Sequence, residues 1–264
     1  MTLPEAVVLG VVQGLTEFFP VSSSGHLVLA EALLGVNPPG IAFEVLVHLA
    51  TVLSVLVLYR GRLLALLAGA VRKQSDDLRY LALLGLASVP AALLGFTLSG
   101  AIAGLFDRPV LTALSLLVTG AVVYATRWLL ARGERPHPGW AGSLAVGIAQ
   151  AVALLPGISR SGVTVATALW ARTRRERAAE FSFLLSVPAI LGASLLELPE
   201  LTSAEFRVGT IELAAACLSA FAAGVVAIVL FVRWLRVGRL HRFAYYCWAV
   251  GGGYIVYALV AGLS

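Results

Sequence analysis

Apolar residues run along this chain in blocks whose length matches a bilayer. About 20 such residues in a helix cross the roughly 30 Å hydrocarbon core, and blocks of that kind fall at 41–59, 78–99, 109–130, 178–196, 211–233 and 243–262. They predict six transmembrane helices. Two further apolar segments, 3–34 and 141–171, are broken in the middle by "FFPVSSSGH" and "LLPGISRSG". Each half has about 12 to 16 residues and reaches only about 18 to 24 Å at 1.5 Å per residue, too short to cross comfortably. The pattern predicts two re-entrant helical hairpins, whose irregular backbone is tolerated at membrane depth only where protein or a water-filled cavity surrounds it.

Composition agrees. Of 264 residues, 59% are hydrophobic and 12% charged, and the mean hydropathy is +0.93, far from the balance of soluble domains. The expected fold class is an all-α integral membrane protein, one membrane domain over 1–264. The N-terminal "MTLPEAVVLGVVQG" has no basic n-region and no small-residue cleavage site, so a removable signal peptide is not expected. The net charge of +5 would suit a nucleic acid, but the basic residues sit in short loops between apolar blocks, where membrane topology accounts for them. No nucleic-acid partner is expected. Cys217 and Cys247 fall within apolar blocks and read as buried small hydrophobes, not as a disulfide or metal pair.

The basic residues also orient the chain. Arg60, Arg62, Arg72, Lys73 and Arg79, then Arg127, Arg132 and Arg135, then Arg172, Arg174, Arg175 and Arg177, then Arg233, Arg236, Arg239 and Arg242 mark four loops that can all be cytoplasmic together. Segments 100–108 and 197–210 carry Asp107, Glu197, Glu200 and Glu205 against Arg108 and Arg207, and belong outside. Both termini then face outward, the first hairpin enters from outside and the second from the cytoplasm, and their broken tips can meet near the midplane.

An internal repeat supports that arrangement. Gly10, Gln13, Ser22, Ser24 and Gly25 align without a gap on Gly147, Gln150, Ser159, Ser161 and Gly162. With three spans per copy, repeat one at about 3–130 and repeat two at about 141–262 must be inverted relative to each other, as in transporter-like folds whose site lies at the repeat interface. The copies differ where chemistry is carried: Glu17 aligns with Leu154, Ser23 with Arg160, and His26 with Val163.

These residues suit an anion. Gln13 and Glu17, four apart, share a helix face. Pro20 ends one helix, the hydroxyls of Ser22, Ser23 and Ser24 can cap the next, and Gly25 lets the backbone approach a ligand. The free N–H groups and positive dipole end of a half-helix starting near Ser23 would bind a phosphate. Ser159, Ser161, Gly162 and Thr164 repeat the geometry, and Arg160 adds a planar fork that matches phosphate oxygens. A Glu, a His and an Arg inside a membrane segment each cost about 2.5–3.5 kcal/mol on insertion scales, which makes them functional candidates. Structural readings compete: an Arg160–Glu17 ion pair, serines that only cap helices, and a Gln13 amide that only bridges helices. Glu44 and His48 form a second polar pair, either supporting the site or packing helices. A lipid flippase or ion-coupled carrier would also use inverted repeats with broken helices; a pure scaffold would leave the buried charges unexplained.

"QGLTEFFPVSSSGH" and "LLPGISRSGVT" closely resemble the two signature motifs of the bacterial undecaprenyl-diphosphate phosphatase family, the type associated with bacitracin resistance, and the resemblance extends over essentially the whole chain. It implies hydrolysis of undecaprenyl diphosphate to undecaprenyl phosphate and inorganic phosphate, recycling the lipid carrier of cell-wall synthesis. It also implies a multi-pass protein of the bacterial plasma (inner) membrane, a divalent cation such as Mg²⁺ or Ca²⁺, membrane lipid as environment, and a site open to the outer face. A homodimer is compatible with this reading. The family has Glu or Gln at the first motif's first polar position; here it is Gln13, so a metal role rests more heavily on Glu17. Ser22, Ser23, Gly25 and His26 match the first motif, with Ser24 where some members have Thr, and Ser159, Arg160, Ser161, Gly162 and Thr164 match the second.

Hydrolysis of a diphosphate needs charge neutralisation, a nucleophile and, where required, a proton for the leaving oxygen. On this resemblance the catalytic residues are Glu17, Ser23, His26 and Arg160, with Glu17 on the cation. Gln13, Ser22, Ser24, Gly25, Ser159, Ser161, Gly162 and Thr164 line the substrate site. Ser23 with His26 as base or acid is the favoured nucleophile; a water activated by Glu17 and the cation uses the same residues. Lipid phosphatases with a histidine nucleophile share an "SGH" turn but need a second His some six residues after their Ser-Arg, and "SRSGVTVATALW" has none.

Overall fold

The structure, a computed structural model, describes residues 1–36, 42–106, 108–130, 133–196 and 208–261. Among these, the ordered elements are α1 Leu3–Phe18, α2 Ser23–Leu34, α3 Ala42–Leu58, α4 Arg60–Val71, α5 Ser75–Phe106 and α6 Pro109–Leu129. They continue with α7 Gly139–Val152, α8 Arg160–Trp170, α9 Arg175–Leu196, α10 Thr210–Arg236, a 3-10 turn at Leu240–Arg242, and α11 Phe243–Ala261. No strand occurs among the described residues, only an isolated bridge between Arg135 and Thr173. The protein is an all-helical, multi-pass membrane protein.

Among the described residues, five stretches are long and apolar enough to cross a bilayer: Ser75–Leu98, Pro109–Leu129, Arg175–Leu195, Thr210–Arg236 and Leu240–Ala261. A sixth is obtained if α3 and α4, bent by 74° at their junction, count as one span. This junction departs from the sequence expectation, which had one span at 41–59 and a loop after it. The Arg60 guanidinium donates to the Val57 carbonyl at 2.8 Å and closes the end of α3. The apolar run then resumes as α4, which buries Leu66 and leaves Leu64, Leu67 and Val71 exposed. An apolar outer face between Arg60 and the pair Arg72 and Lys73 suits a helix lying at a membrane surface. The segment 100–108 is likewise helical as far as Phe106, beyond a break in helical geometry at Leu98. Most of the acidic stretch 197–210 lies outside the described residues.

The four helices of the two broken segments contain 16, 12, 14 and 11 residues, each short of a span. Backbone chemistry explains both breaks. After α1, Phe19 is extended, Pro20 has no N–H to continue the ladder, and Ser22 adopts a left-handed φ of 69°. After α7 the chain passes Pro156 and Gly157, whose φ of 86° is available to glycine without steric cost. Ser159 then caps α8, its Oγ accepting the Gly162 N–H at 3.2 Å.

Helix contacts cross between the two halves of the chain. α1 lies along α10 and α7 along α5, while α3 meets α10, α5 meets α9, and α6 meets α11. The closest approaches use glycine: a Cβ on Gly10 would collide with the Ala216 carbonyl and one on Gly14 with that of Ala220, both on α10. One on Gly147 would lie 2.6 Å from the Ala87 carbonyl on α5. Without a hydrophobic drive between helices in lipid, such small-residue contact is a main source of association. The largest buried cluster joins Phe18, Phe183 and Phe231, with ring centroids 5.5 Å apart for the first pair and 5.2 Å for the second. It fixes the last turn of α1 against α9 and α10. At the junction of α4, α5 and α9, buried Glu180 accepts from Arg62 Nε at 3.1 Å, Tyr80 at 3.4 Å and Arg177 at 2.7 Å.

Gly147→Val should therefore destabilise the fold by about 1–3 kcal/mol through overpacking, whereas Gly85→Ala, at a position with open space around it, should be near neutral. Thermal unfolding in detergent measures both.

Candidate active site

The end of α1 and the beginnings of α2 and α8 converge on one carboxylate. Glu17, on the last turn of α1, accepts from Arg160 Nη2 through Oε1 at 2.7 Å. Its Oε2 accepts from the Ser23 hydroxyl at 2.7 Å and from Gln13 Nε2 at 3.2 Å, and His48 Nε2 stands 3.5 Å from the same oxygen. Glu17 and Gln13 are buried, while Ser23, His48 and Arg160 are partly exposed. Arg160 also donates through Nη1 to the Ser182 carbonyl at 3.4 Å. Thr164 and Ser182 share a hydroxyl–hydroxyl bond of 2.6 Å, which ties α8 to α9 beneath the arginine.

Both turns are stitched together. Ser161 Oγ donates to the Phe19 carbonyl at 3.2 Å, and a Cβ on Gly162 would lie 3.2 Å from Pro20 Cβ, so that glycine permits the contact. Thr119 on α6 donates to the Gly157 carbonyl at 2.8 Å and accepts the Ser159 N–H at 3.0 Å. The aligned serines make matching bonds, Ser22 to Ser24 at 3.3 Å and Ser159 to Ser161 at 3.2 Å. Gly25 is buried against the Thr112 side chain, 3.3 Å from where its Cβ would stand.

His26 stands apart from this junction. Its Nδ1 is 2.8 Å from the Ser22 carbonyl, its Nε2 is 2.8 Å from the Tyr246 hydroxyl, and the two rings stack with centroids 5.5 Å apart. Because a carbonyl only accepts, Nδ1 carries the proton of the neutral ring and Nε2 accepts from tyrosine. The hydrogen-bond partner of Ser23 is thus Glu17, where the sequence reading expected His26. Of the second polar pair, His48 reaches Glu17, with Nδ1 2.7 Å from the Glu44 carbonyl.

Three contributors carried no sequence signal: Thr119, Ser182 and Tyr246 sit in apolar helices outside any motif, and only tertiary contact brings them to the turns. His48 had a signal, its spacing from Glu44.

Among the described residues no three His, Cys, Asp or Glu side chains are grouped to hold a metal ion. The donor set still fits a hard cation that arrives with phosphate oxygens. Gln13 Oε1 is buried without a hydrogen-bond partner beside the Glu17 carboxylate, and Mg²⁺ commonly binds through one or two carboxylates plus substrate phosphates.

These features define a class: a polytopic helical membrane protein with a buried Glu–Arg pair, a hydroxyl and two helix N-termini at the junction of two broken helices. Residues 6–253 match the family model described as bacitracin resistance protein BacA, and the chain belongs to that family. It is 40% identical over 277 residues to the undecaprenyl-diphosphatase of Desulforapulum autotrophicum, covering 99% of this chain and 100% of that protein. It is 40% identical over 270 residues to the undecaprenyl-diphosphatase of Alcanivorax borkumensis, at 98% and 96% coverage. The undecaprenyl-diphosphatase of Syntrophotalea carbinolica is 41% identical over 260 residues, at 96% and 97%.

Arg160→Ala leaves Glu17 as an uncompensated buried charge, so it should cost about 3–5 kcal/mol of stability. Adding Glu17→Gln should recover most of that loss. A double-mutant cycle on thermal unfolding reads the coupling.

Proposed function

We propose that this protein hydrolyses undecaprenyl diphosphate to undecaprenyl phosphate and inorganic phosphate, recycling the lipid carrier of cell-wall synthesis. The observation that carries the reading is the Ser23 hydroxyl 2.7 Å from the Glu17 carboxylate, beside Arg160, in a chain whose relatives at about 40% identity over nearly their full length are undecaprenyl-diphosphatases. Membership of that family favours hydrolysis over the carrier reading.

The chemistry follows from the contacts. Glu17 takes the Ser23 proton as Oγ attacks the terminal phosphorus; a serine–phosphorus bond forms and the bridging phosphorus–oxygen bond breaks. The departing group is a phosphate monoester, stable as an anion, so it leaves without needing a proton. Water then attacks the phosphoserine phosphorus and the Oγ–phosphorus bond breaks; Glu17 returns its proton to Ser23 Oγ, and the water's proton leaves on the inorganic phosphate. Arg160 has guanidinium N–H groups beyond those bound to Glu17 and Ser182, and these, with the N-terminal amides of α2 and α8, stabilise charge on the transferred group. Ser22, Ser24, Gly25, Ser159, Ser161, Gly162 and Thr164 shape the two turns that present those amides. His26, held by the Ser22 carbonyl and Tyr246, stands apart from the reacting groups and steadies the first turn. A divalent cation, Mg²⁺ or Ca²⁺, would be held by Glu17 and Gln13 and would neutralise diphosphate charge.

The finer architecture is part of this proposal: six spans, two re-entrant hairpins and an inverted repeat, in the plasma membrane with the site open to the outer face. Helix contacts support the repeat, because the first helix of each broken segment packs on the middle span of the opposite half, α1 on α10 and α7 on α5. The aligned glycines Gly10 and Gly147 make those two approaches. Basic residues at the ends of α3, α6 and α10 and the start of α9 support the orientation. Maleimide labelling of cysteines introduced at 60–79 should succeed only from the cytoplasmic side; labelling from outside would reverse the topology.

Purified protein in detergent should release phosphate from undecaprenyl diphosphate, and EDTA should stop it. Ser23→Ala and Glu17→Gln should each lower kcat at least about a hundredfold, and acid quench followed by mass spectrometry should find phosphate on Ser23. Release by Ser23→Ala at near the wild-type rate would remove serine as nucleophile and leave activated water in its place.

A further inference from the structure

Beside the two turns a narrow, partly open groove runs between α2, α6 and α11, walled by Val28, Leu29, Leu116, Val250 and Tyr254. Ser24 and Gly25 of the first turn and Pro156 of the second also border it. The groove is thus bordered by chain neighbours of the junction residues Ser23 and Arg160. Along α2 its wall passes from Ser24 and Gly25 one turn on to Val28 and Leu29, and Val28 is 41% exposed, an apolar surface with no protein cover. Along α11, Val250 and Tyr254 follow Tyr246 by four and eight residues, so they share its face, and the Tyr246 hydroxyl holds His26 at 2.8 Å. One helix face therefore meets polar chemistry at one end and an apolar channel further along.

We propose that this groove seats the prenyl chain of the lipid diphosphate, beginning with the isoprene unit next to the phosphates; the assignment rests on the phosphatase reading above. A diphosphate bound at the turns has its ester oxygen within a few bonds of a hydrocarbon chain, and because that chain lies in hydrocarbon whether bound or free, the groove selects it by van der Waals packing against its walls. Apart from Ser24, Thr112 and the Tyr254 hydroxyl, the described lining side chains are apolar, so discrimination falls on the chain's bulk and reach, and the groove sets which lipid diphosphates are accepted.

The test uses the full-length protein in detergent and a polyprenyl diphosphate carrying a diazirine on its first isoprene unit. Irradiation should label peptides containing Val28 and Leu29 or Val250 and Tyr254, in competition with undecaprenyl phosphate but not with excess phospholipid. Labelling on other faces overturns the assignment, and equal competition by phospholipid makes the groove an ordinary acyl-chain contact and overturns it too. In a second arm, Val250→Trp, which fills the groove, should lower the ratio of kcat/KM for undecaprenyl diphosphate to that for inorganic diphosphate, which has no prenyl unit, about tenfold; an unchanged ratio overturns it. Labelling in the groove with no phosphate released would sink the phosphatase reading and leave the groove standing, while phosphate release with labelling elsewhere would do the reverse.

Discussion

A carboxylate and a guanidinium 143 positions apart in sequence lie 2.7 Å from each other, inside a protein whose other buried side chains are mostly hydrocarbon. Withdrawing such a pair from water costs several kcal/mol per ion unless both groups are fully hydrogen-bonded. Here Glu17 has partners on both oxygens and Arg160 has a second anchor on α9. The pair persists only if the end of α1 and the start of α8 stay in register, and the rest of the structure serves that register. Glycines bring α1 onto α10 and α7 onto α5, the Phe18–Phe183–Phe231 cluster fixes the last turn of α1, and Thr119 clamps the second turn from α6.

Aligned and unaligned positions of the internal repeat divide the labour. Aligned residues build scaffold: the paired serines bond each other within each turn, and Gly10 and Gly147 allow the helix approaches. Unaligned residues make the Glu17–Arg160 ion pair and the Ser23–Glu17 hydrogen bond. A physical reason is available. A symmetric junction would set Glu17 against a second carboxylate, or Arg160 against a second guanidinium, and like charges a few ångströms apart in a low-dielectric interior repel strongly. Replacing Glu17 by Leu154 and Ser23 by Arg160 in the other copy turns that repulsion into an ion pair and leaves a hydroxyl free beside a base.

The surroundings of the site grade from polar to apolar within a few helical turns. His26 and Tyr246 pair beside the first turn, and Val250 and Tyr254 continue along the same helix face beside the exposed side of α2. A protein that handles a charged head on a hydrocarbon chain needs both environments at once, and α11 offers them on a single stripe.

Much of this was legible in one dimension. Apolar block length alone determined the helical membrane class and the approximate spans, because a bilayer imposes a minimum length on any segment that crosses it. Pro20, Pro156 and Gly157 determined where the two short segments break, since a missing N–H or a left-handed φ is a property of the residue itself. The motifs around them pointed to Glu17, Ser23 and Arg160, which the structure brings together. The 74° bend after α3 was not legible, because an apolar run looks the same whether it ends or turns along a surface. Nor was the partner of Ser23, which only the tertiary structure decided: whether a hydroxyl faces His26 three residues on or Glu17 six residues back depends on the φ of Ser22 and on where Tyr246, 220 residues from His26, draws the imidazole. Local chemistry is written in neighbouring residues, while the choice among competing partners is made by distant helices that bring their own donors.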